Sequence, residues 1–296
     1  AMGAWRKRST LNGLGRKLVA SMLENGISKK YAESIFQQIK GFGEYGFPES
    51  HAASFALLVY VSGWLKCHYP AAFAAALINS QPMGFYSSRS IVSDAERHGV
   101  GVLPVCVQYS QWECTLELNE DGYSVLRLGF CLVKGIRKSD VDKLVEVRAS
   151  AAFESILDLM IRTGLNRKLM EKLAESNAFA SMVSDRRQAL WEIQGQWAQL
   201  PLFQSLSRQE PSPNFQFEHP LTAMDKDIRS VGLSVGQHPM QSIRPRLGQG
   251  VRELSSLLSL KNGQNVTIAG LVINRQRPQT AQGVIFMTLE DETALV

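Results

Sequence analysis

The sequence predicts a mainly helical α+β chain, and three observations support this fold class. Helix-start and helix-stop residues recur through residues 1–100, and helical patterns return from 129 to about 196. Alternating or β-branched runs that predict strands are confined to 100–128 and to 265–289. A hydrophobic fraction of 45% in 296 residues is enough to build real cores, which argues against a disordered chain.

Residues 1–100 predict a series of helices separated by glycine and proline. Leu14–Asn25 predicts the first helix, and Ser28 can cap a second helix over Lys29–Lys40. Gly41 is expected to end that second helix. Further helices are predicted from Pro48–Ser50 through Lys66, over 71–79 and over 90–98.

A small β insert is predicted after these helices. Its strands are expected over 100–107, 112–118 and 123–128, with Asn119–Gly122 as a hairpin turn. Because the helical pattern resumes at Gly129, the insert is short.

The last third of the sequence predicts a linker and a second β region. Prolines, serines and glutamines mark the linker, and a helix is predicted over 221–233. Two strands follow, over 265–274 and 283–289. Two strands cannot close a sheet alone, so the last domain is expected to be cut through its middle.

Charge and cysteine content exclude several classes of protein. Lys+Arg 32 against Asp+Glu 27 gives a net charge of +5, which permits a polyanionic partner without requiring one. The four cysteines form no C-x-x-C pair and no zinc-ligand spacing, so reduced thiols and no metal site are expected. The longest apolar run, Ala52–Leu65, is too short for a membrane span of ~20 residues, and a cytoplasmic location is expected.

Gly41, Gly43 and Gly46 match the spacing of a dinucleotide-binding loop, but that interpretation is rejected. Such a loop works only between a strand and a helix, whereas here a helix precedes it. The same region places Ser50 and His51, with neighbouring aromatic residues, at the start of an apolar helix. These residues either cap and pack that helix or contact a ligand, and the sequence alone leaves both readings open.

Several motifs occur together in a fixed order. They are Gly46–Phe55 (GFPESHAASF), Trp64–Phe73 (WLKCHYPAAF), Asn79–Tyr86 (NSQPMGFY), Asp185–Trp191 (DRRQALW), Leu200–Phe203 (LPLF) and Arg275–Thr293 (RQRPQTAQGVIFMTLEDET). In this order they resemble the C-family bacterial DNA polymerases, the family of the replicative polymerase III α subunit. Several of these motifs are similar in sequence to those of its error-prone branch, the translesion polymerases of the damage-inducible mutasome. The resemblance covers residues 4–296.

The resemblance implies a division of the chain into six segments. They are the C-terminal part of a fingers domain (1–100), a small β insert (101–128), a tandem helix-hairpin-helix DNA-binding region (129–198), a Pro-rich linker with a clamp-binding-like peptide (199–220), a helical connection (221–263) and a truncated OB-fold (264–296).

In the fingers segment, the resemblance implies residues near the nucleotide and the template base. Aromatic side chains would stack on bases, and a helix N-terminus favours phosphate oxygens. The candidates are Tyr45, Phe47, Ser50, His51 and Phe55. Packing of the fingers helix is the alternative role for several of them.

Two glycine-containing segments resemble helix-hairpin-helix elements, in which backbone N–H groups bind DNA phosphates irrespective of base sequence. The candidates are Lys134, Gly135, Arg137 and Lys138 in the first, and Gly164, Asn166, Arg167 and Lys168 in the second. Arg137 stands where a second hairpin glycine is usual, and its charge would compensate for a looser phosphate cradle. The alternative for each segment is a helix turn with solvated cations.

Two further sites are implied by the resemblance. Gln199, Leu200, Leu202 and Phe203 resemble the peptide by which bacterial polymerases engage the sliding clamp, although the Leu-Phe pair would equally anchor the linker onto its own protein. Residues 266–293 resemble the first strands of an OB-fold, in which Arg275, Arg277 and Phe286 would bind single-stranded DNA.

The metal-binding aspartates of the family's palm domain have no counterpart in this sequence. We therefore expect a C-terminal portion of an error-prone polymerase that holds DNA and docks partners but is inactive alone, while the full-length enzyme uses Mg²⁺. Expected partners are primer-template DNA, single-stranded template, the sliding clamp and two mutasome accessory proteins, one like an inactive Y-family polymerase and one like RecA. The alternatives are a protein-docking module with little DNA binding of its own, and a stand-alone helix-hairpin-helix protein.

Overall fold

The computed structural model describes residues 8–45, 49–83, 86–195, 213, 215, 218–277 and 283–296, without the side chains of 8–12, 40–45 and 49–51. The chain forms two compact units, which divide between His68 and Tyr69. Within the described residues, no helix is long and apolar enough to cross a membrane.

The described part of the first unit consists of three helices, α1 (Arg8–Glu24), α2 (Lys29–Tyr45) and α3 (Glu49–His68). α1 and α2 pack closely, because Gly15 lies against the ring of Phe36 where a Cβ would overlap it. The prediction that α2 ends at Gly41 is wrong, since the helix continues to Tyr45. A glycine costs a helix only about 1 kcal/mol, so by itself it does not end one.

α3 is apolar on all sides, and much of its apolar surface is exposed. Leu57, Val59 and Tyr60 are 66%, 68% and 73% exposed, and Trp64 is 46% exposed. A helix with this composition is typical of the interior of a large protein.

The second unit begins with two helices and a small sheet. They are α4 (Pro70–Asn79), α5 (Ser88–Arg97), β1 (Val102–Leu103), β2 (Thr115–Leu118) and β3 (Ser124–Arg127). The strand order is β1-β3-β2, with β1 parallel and β2 antiparallel to β3. Asn119 holds the predicted hairpin turn, because its side chain accepts the N–H groups of Asp121 and Tyr123.

The predicted strand over 100–107 is reduced to Val102–Leu103. Pro104 has no N–H to give to a sheet ladder. Beyond it, Cys106 N–H donates to the Ser110 hydroxyl and Val107 N–H donates to the Ala178 carbonyl. The backbone donors that would extend the strand therefore bond elsewhere.

The helical region follows the sheet and shares its core. A short 3₁₀ helix (Phe130–Leu132) precedes α6 (Lys138–Ser150), α7 (Ile156–Thr163), α8 (Arg167–Glu175) and α9 (Arg186–Gly195). Leu126 and Phe130 from the sheet side, and Leu159 and Met170 from the helices, are fully buried in one cluster.

The remaining part of the second unit contains two helices and two small sheets. They are α10 (Pro220–Ser230), α11 (Pro239–Ile243), β4 (Val251–Arg252), β5 (Thr267–Ile268), β6 (Leu271–Gln276) and β7 (Phe286–Glu290). β4 and β5 are parallel, and β6 and β7 are antiparallel. The predicted mainly helical α+β class is confirmed. The six-segment division and the OB-fold assignment stay predictions.

Candidate nucleic-acid interface

The first hairpin joins the 3₁₀ helix Phe130–Leu132 to α6. Gly135 has a φ of +77°, which glycine adopts without strain. Arg137 is the N-cap of α6, with extended backbone and no side-chain cap bond. The hairpin thus places the exposed Gly135, Arg137 and Lys138 at the N-terminus of a 13-residue helix, the end that attracts anions.

The second hairpin joins α7 to α8. Gly164 ends α7 in the left-handed conformation, with a φ of +60°, and its N–H donates to the Met160 carbonyl at 2.9 Å. Asn166 caps α8, because its Oδ1 accepts the Leu169 N–H at 3.0 Å. Arg167 and Lys168 are exposed in the first turn of α8. Both predicted hairpins therefore present a glycine turn and cations at a helix start.

Two of the predicted cations have partners within the protein. The Lys134 ammonium group donates to the Ile228 carbonyl at 3.2 Å, and its backbone N–H donates to the Ser230 carbonyl at 2.8 Å. Arg167 donates to Glu171 at 3.0 Å. Lys134 therefore ties the first hairpin to the end of α10, where the helix dipole favours a cation.

Arg162 lies beside the second hairpin and serves the fold. Its guanidinium donates to the carbonyl groups of Val147, Ala151 and Ala152 and pairs with Asp158 at 3.0 Å. The Glu154 N–H and the Arg162 guanidinium both donate to Asp158 and lower the pKa of its carboxyl. Arg162 thus fixes the end of α6 against α7.

Two lysines that the sequence reasoning missed lie at the hairpins. Lys172 Nζ donates to the Gly135 carbonyl at 2.6 Å, and Lys143 Nζ lies 3.5 Å from where a Cβ on Gly164 would be. The signal in the sequence is a repeat, because Gly164 follows Gly135 and Lys172 follows Lys143 by the same 29 residues.

The fingers candidates lie in the first unit. Tyr45 ends α2, while Ser50 and His51 lie in the first turn of α3, as the predicted helix start requires. Phe55 lies one turn further along α3 and is 50% exposed. Phe47 lies outside the described residues, as do the four clamp-peptide candidates, Gln199, Leu200, Leu202 and Phe203.

The OB candidates lie on the β6–β7 hairpin but not on one face. Phe286 pairs with Gln276, and Arg275 pairs with Met287. Because paired residues share a face and neighbours alternate, Phe286 and Arg275 point to opposite sides of the sheet. Arg277 follows the end of β6, and all three side chains are exposed.

No metal centre is found in the part of the chain that the structure describes. There, no group of three or more His, Cys, Asp or Glu side chains could hold a metal ion. The chemistry that these residues support is phosphate binding by backbone N–H groups and cations.

Comparison with known proteins defines the class of this site. The family model described as "Helix-hairpin-helix motif" matches residues 99–189, a span that contains both hairpins. The fold and the site thus place this region in the helix-hairpin-helix class.

Relatives of the whole chain define the family. The "Error-prone DNA polymerase" of Alkalilimnicola ehrlichii is 46% identical over 297 residues, covering 100% of this chain and 29% of its own length. Proteins of the same name from Pseudomonas savastanoi pv. phaseolicola and Methylococcus capsulatus are 45% and 42% identical, covering 100% of this chain and 29% and 30% of their own lengths. The chain belongs to the error-prone DNA polymerase family, as the motifs predicted, and it spans about three tenths of the length of these relatives.

Proposed function

We propose that this chain is the DNA-holding and partner-docking segment of an error-prone translesion DNA polymerase. The observation that carries the proposal is the pair of glycine hairpins, each with exposed cations at the start of a helix, in a chain similar along its whole length to proteins named error-prone DNA polymerase. The full-length protein would carry out template-directed DNA synthesis in damage-induced mutagenesis and repair, in the cytoplasm.

In this proposal the segment binds DNA and does not catalyse nucleotide transfer. Nucleotide transfer by a polymerase uses Mg²⁺ held by carboxylates. We place those carboxylates in parts of the full-length protein outside the described residues, which hold no such group. The segment alone is therefore expected to be inactive in nucleotide addition.

DNA would be held through its phosphates. The N-terminal N–H groups of α6 and α8 favour an anion, and Arg137, Lys138 and Lys168 add charge beside them. These contacts do not read base edges, so binding would be independent of sequence and would weaken steeply with salt. Arg275, Arg277 and Phe286 would add contacts to single-stranded template from the β6–β7 hairpin.

Fluorescence anisotropy with a labelled primer-template duplex tests the DNA-holding role. We expect the double variant Arg137→Met with Lys168→Met to bind about tenfold more weakly than wild type at 100 mM salt. The slope of log affinity against log salt should fall by about 1.8, since each lost phosphate contact removes about 0.9.

The matched control is Arg246→Met with Lys261→Met, which removes two exposed cations from the 221–263 segment. This control should bind like wild type. Absence of duplex binding by the wild-type chain at 50 mM salt would refute the DNA-holding role.

A second proposal concerns the residues between α9 and α10. Gln199–Phe203 has the residue types of a clamp-binding peptide. The described residues on either side of it are tied together, because Arg186 of α9 pairs with Glu218 at 3.4 Å and with Asp227 of α10 at 2.7 Å. We propose that this peptide docks the sliding clamp, and that the linker and the OB-like segment dock the two mutasome accessory proteins.

Pull-down on purified sliding clamp tests the peptide. Leu202→Ala with Phe203→Ala is expected to abolish clamp capture, because the pair would fill the hydrophobic pocket. Leu257→Ala with Leu258→Ala, a leucine pair of which Leu258 is 96% exposed, should leave capture unchanged. Equal capture by the wild type and the Leu202/Phe203 variant would eliminate the clamp proposal.

A further inference from the structure

The two hairpins belong to an internal repeat. Residues 132–147 and 161–176 align with an offset of 29 positions, and each helix begins three residues after its hairpin glycine. Four identities mark the repeat: Gly135 with Gly164, Lys143 with Lys172, Leu144 with Leu173, and Glu146 with Glu175.

The repeat extends to the packing of the two helices. In α6, Val141 and Leu144 are 2% and 1% exposed, and the equivalent Met170 and Leu173 of α8 are 0% and 1% exposed. Both helices thus bury the same two positions in one core. This shared orientation fixes where the remaining positions of each helix point.

The lysine of each repeat reaches the hairpin of the other. Lys172 of α8 bonds the Gly135 carbonyl at 2.6 Å, and its Nζ fills the space that a Cβ on Gly135 would need. Lys143 of α6 places its Nζ 3.5 Å from where a Cβ on Gly164 would be. Gly135 therefore leaves room for a cation that comes from the opposite repeat, and Gly164 has such a cation beside it at van der Waals distance.

We propose that Lys143 and Lys172 complete each other's hairpins, so that each phosphate site combines the backbone of one repeat with the ammonium group of the other. The inference rests on the proposed DNA-holding function and names residues outside the hairpins themselves. An ammonium group at the hairpin turn lies within a Debye length of a phosphate bound there, so it adds attraction to that phosphate. Because each lysine serves the opposite turn, binding at one hairpin is coupled to the position of the other.

A purely structural role for the lysines predicts a different result. If Lys172 only satisfied the Gly135 carbonyl, its loss would lower the unfolding temperature and leave the salt dependence of DNA binding unchanged. If it completes a phosphate site, the salt dependence itself must fall.

The first experiment measures duplex affinity and its salt slope for single variants. Lys172→Met and Lys143→Met are each expected to weaken binding by about three- to tenfold and to lower the slope by about 0.9. Lys172→Arg should keep the slope, since the charge remains. Lys261→Met is the control and should match wild type, and circular dichroism should show the same helix content for all variants.

The second experiment asks which hairpin each lysine serves. In double-mutant cycles, Lys172→Met is combined with Lys138→Met of the opposite repeat. The loss of duplex affinity in this double variant should differ by about threefold or more from the product of the two single losses. When Lys172→Met is combined with Lys168→Met of its own repeat, the loss of duplex affinity should equal the product of the two single losses within about twofold.

The outcomes separate the two proposals. A wild-type chain that binds no duplex overturns the DNA-holding function and this inference with it. A wild-type chain that binds, with Met variants that keep the full salt slope or couple only to Lys168, overturns this inference alone. A reduced slope with coupling to Lys138 supports it.

Discussion

Replacing Gly129 by alanine is expected to destabilise the second unit by about 3 kcal/mol, which is near the upper end for overpacking a single methyl group. A Cβ at this position would lie 2.5 Å from the Trp112 carbonyl oxygen and 2.6 Å from the Glu113 carbonyl oxygen. Both neighbours are backbone atoms, so no side-chain rotation can relieve the overlap. The backbone of Gly129 has a φ of −89°, which alanine adopts freely, so the effect comes from space alone.

Thermal unfolding measures this effect. A cost of 3 kcal/mol corresponds to a midpoint lower by about 6–12 °C for a unit of this size. Gly248→Ala is the matched control, because nothing lies within 4 Å of its Cβ position and its φ is not left-handed. The close approach would be disproved by a Gly129→Ala midpoint equal to that of the control.

The same substitution should disturb the first hairpin. Gly129 is the N-cap of the 3₁₀ helix that leads into the hairpin, and Phe130 N–H donates to the Gln111 carbonyl at 2.9 Å. A shift of this backbone would carry Gly135 with it. We therefore expect weaker duplex binding by Gly129→Ala at temperatures where the variant is still folded.

Replacing Asp291 by asparagine is expected to cost about 3 kcal/mol at neutral pH, because the carboxylate is buried and accepts bonds on both oxygens. Leu254 N–H and Arg244 donate to Oδ2, both at 2.8 Å, while Oδ1 accepts from Thr293 and Ala294. An amide would place an NH₂ group against these donors, whichever way it turned.

Acid should remove a large part of this stabilisation from the wild type. Burial opposes ionisation of Asp291, but the hydrogen bonds it accepts outweigh burial and lower its pKa from 3.8 to about 2. A lowered folded-state pKa contributes stability that is complete above pH 3.8 and is lost as the pH falls through 2. The difference corresponds to about 2 kcal/mol.

Amide hydrogen exchange reports this effect locally, which avoids assuming that the two units unfold together. After correction for intrinsic exchange rates, protection of the Leu254 and Ala294 amides should fall in the wild type as the pH is lowered from 4 to 2. In Asp291→Asn the protection of both amides should be low and independent of pH. Asp225→Asn, which removes an exposed carboxylate paired with Arg229 at 2.8 Å, should keep wild-type protection. Equal protection in both variants would contradict the assigned role of Asp291.

Local signals allowed much of the helical fold and both hairpins to be predicted. Glycine between a short apolar run and a basic helix start marks each hairpin, and the structure places Gly135 and Gly164 at left-handed turns. The hairpin turn at Asn119–Gly122 follows from residue types that favour such turns. These features depend on residues within a few positions of one another.

The errors and omissions come from contacts that are distant in the sequence. Val107 bonds to Ala178, which ends a predicted strand early, and Lys134 bonds to Ile228, 94 residues away. The sequence around Gly129 does not show that a side chain there would be excluded, because the excluding atoms belong to the backbone near Trp112. Lys143 and Lys172 were missed because nothing in the sequence near them distinguishes them from the other lysines. Only the packing of the two repeats brings each lysine to the opposite hairpin.

The exposed surface of α3 has a consequence for the colloidal behaviour of the chain. Soluble monomers rarely expose contiguous apolar patches larger than a few hundred Å². Leu57, Tyr60 and Trp64 lie at helical spacing on one face of this 20-residue helix, and all three are at least 46% exposed. At high protein concentration such a surface favours self-association, and the net charge of +5 offers only modest repulsion against it. Raising the salt would weaken that repulsion further while leaving the apolar attraction in place, so solubility and DNA affinity should decline together as ionic strength increases.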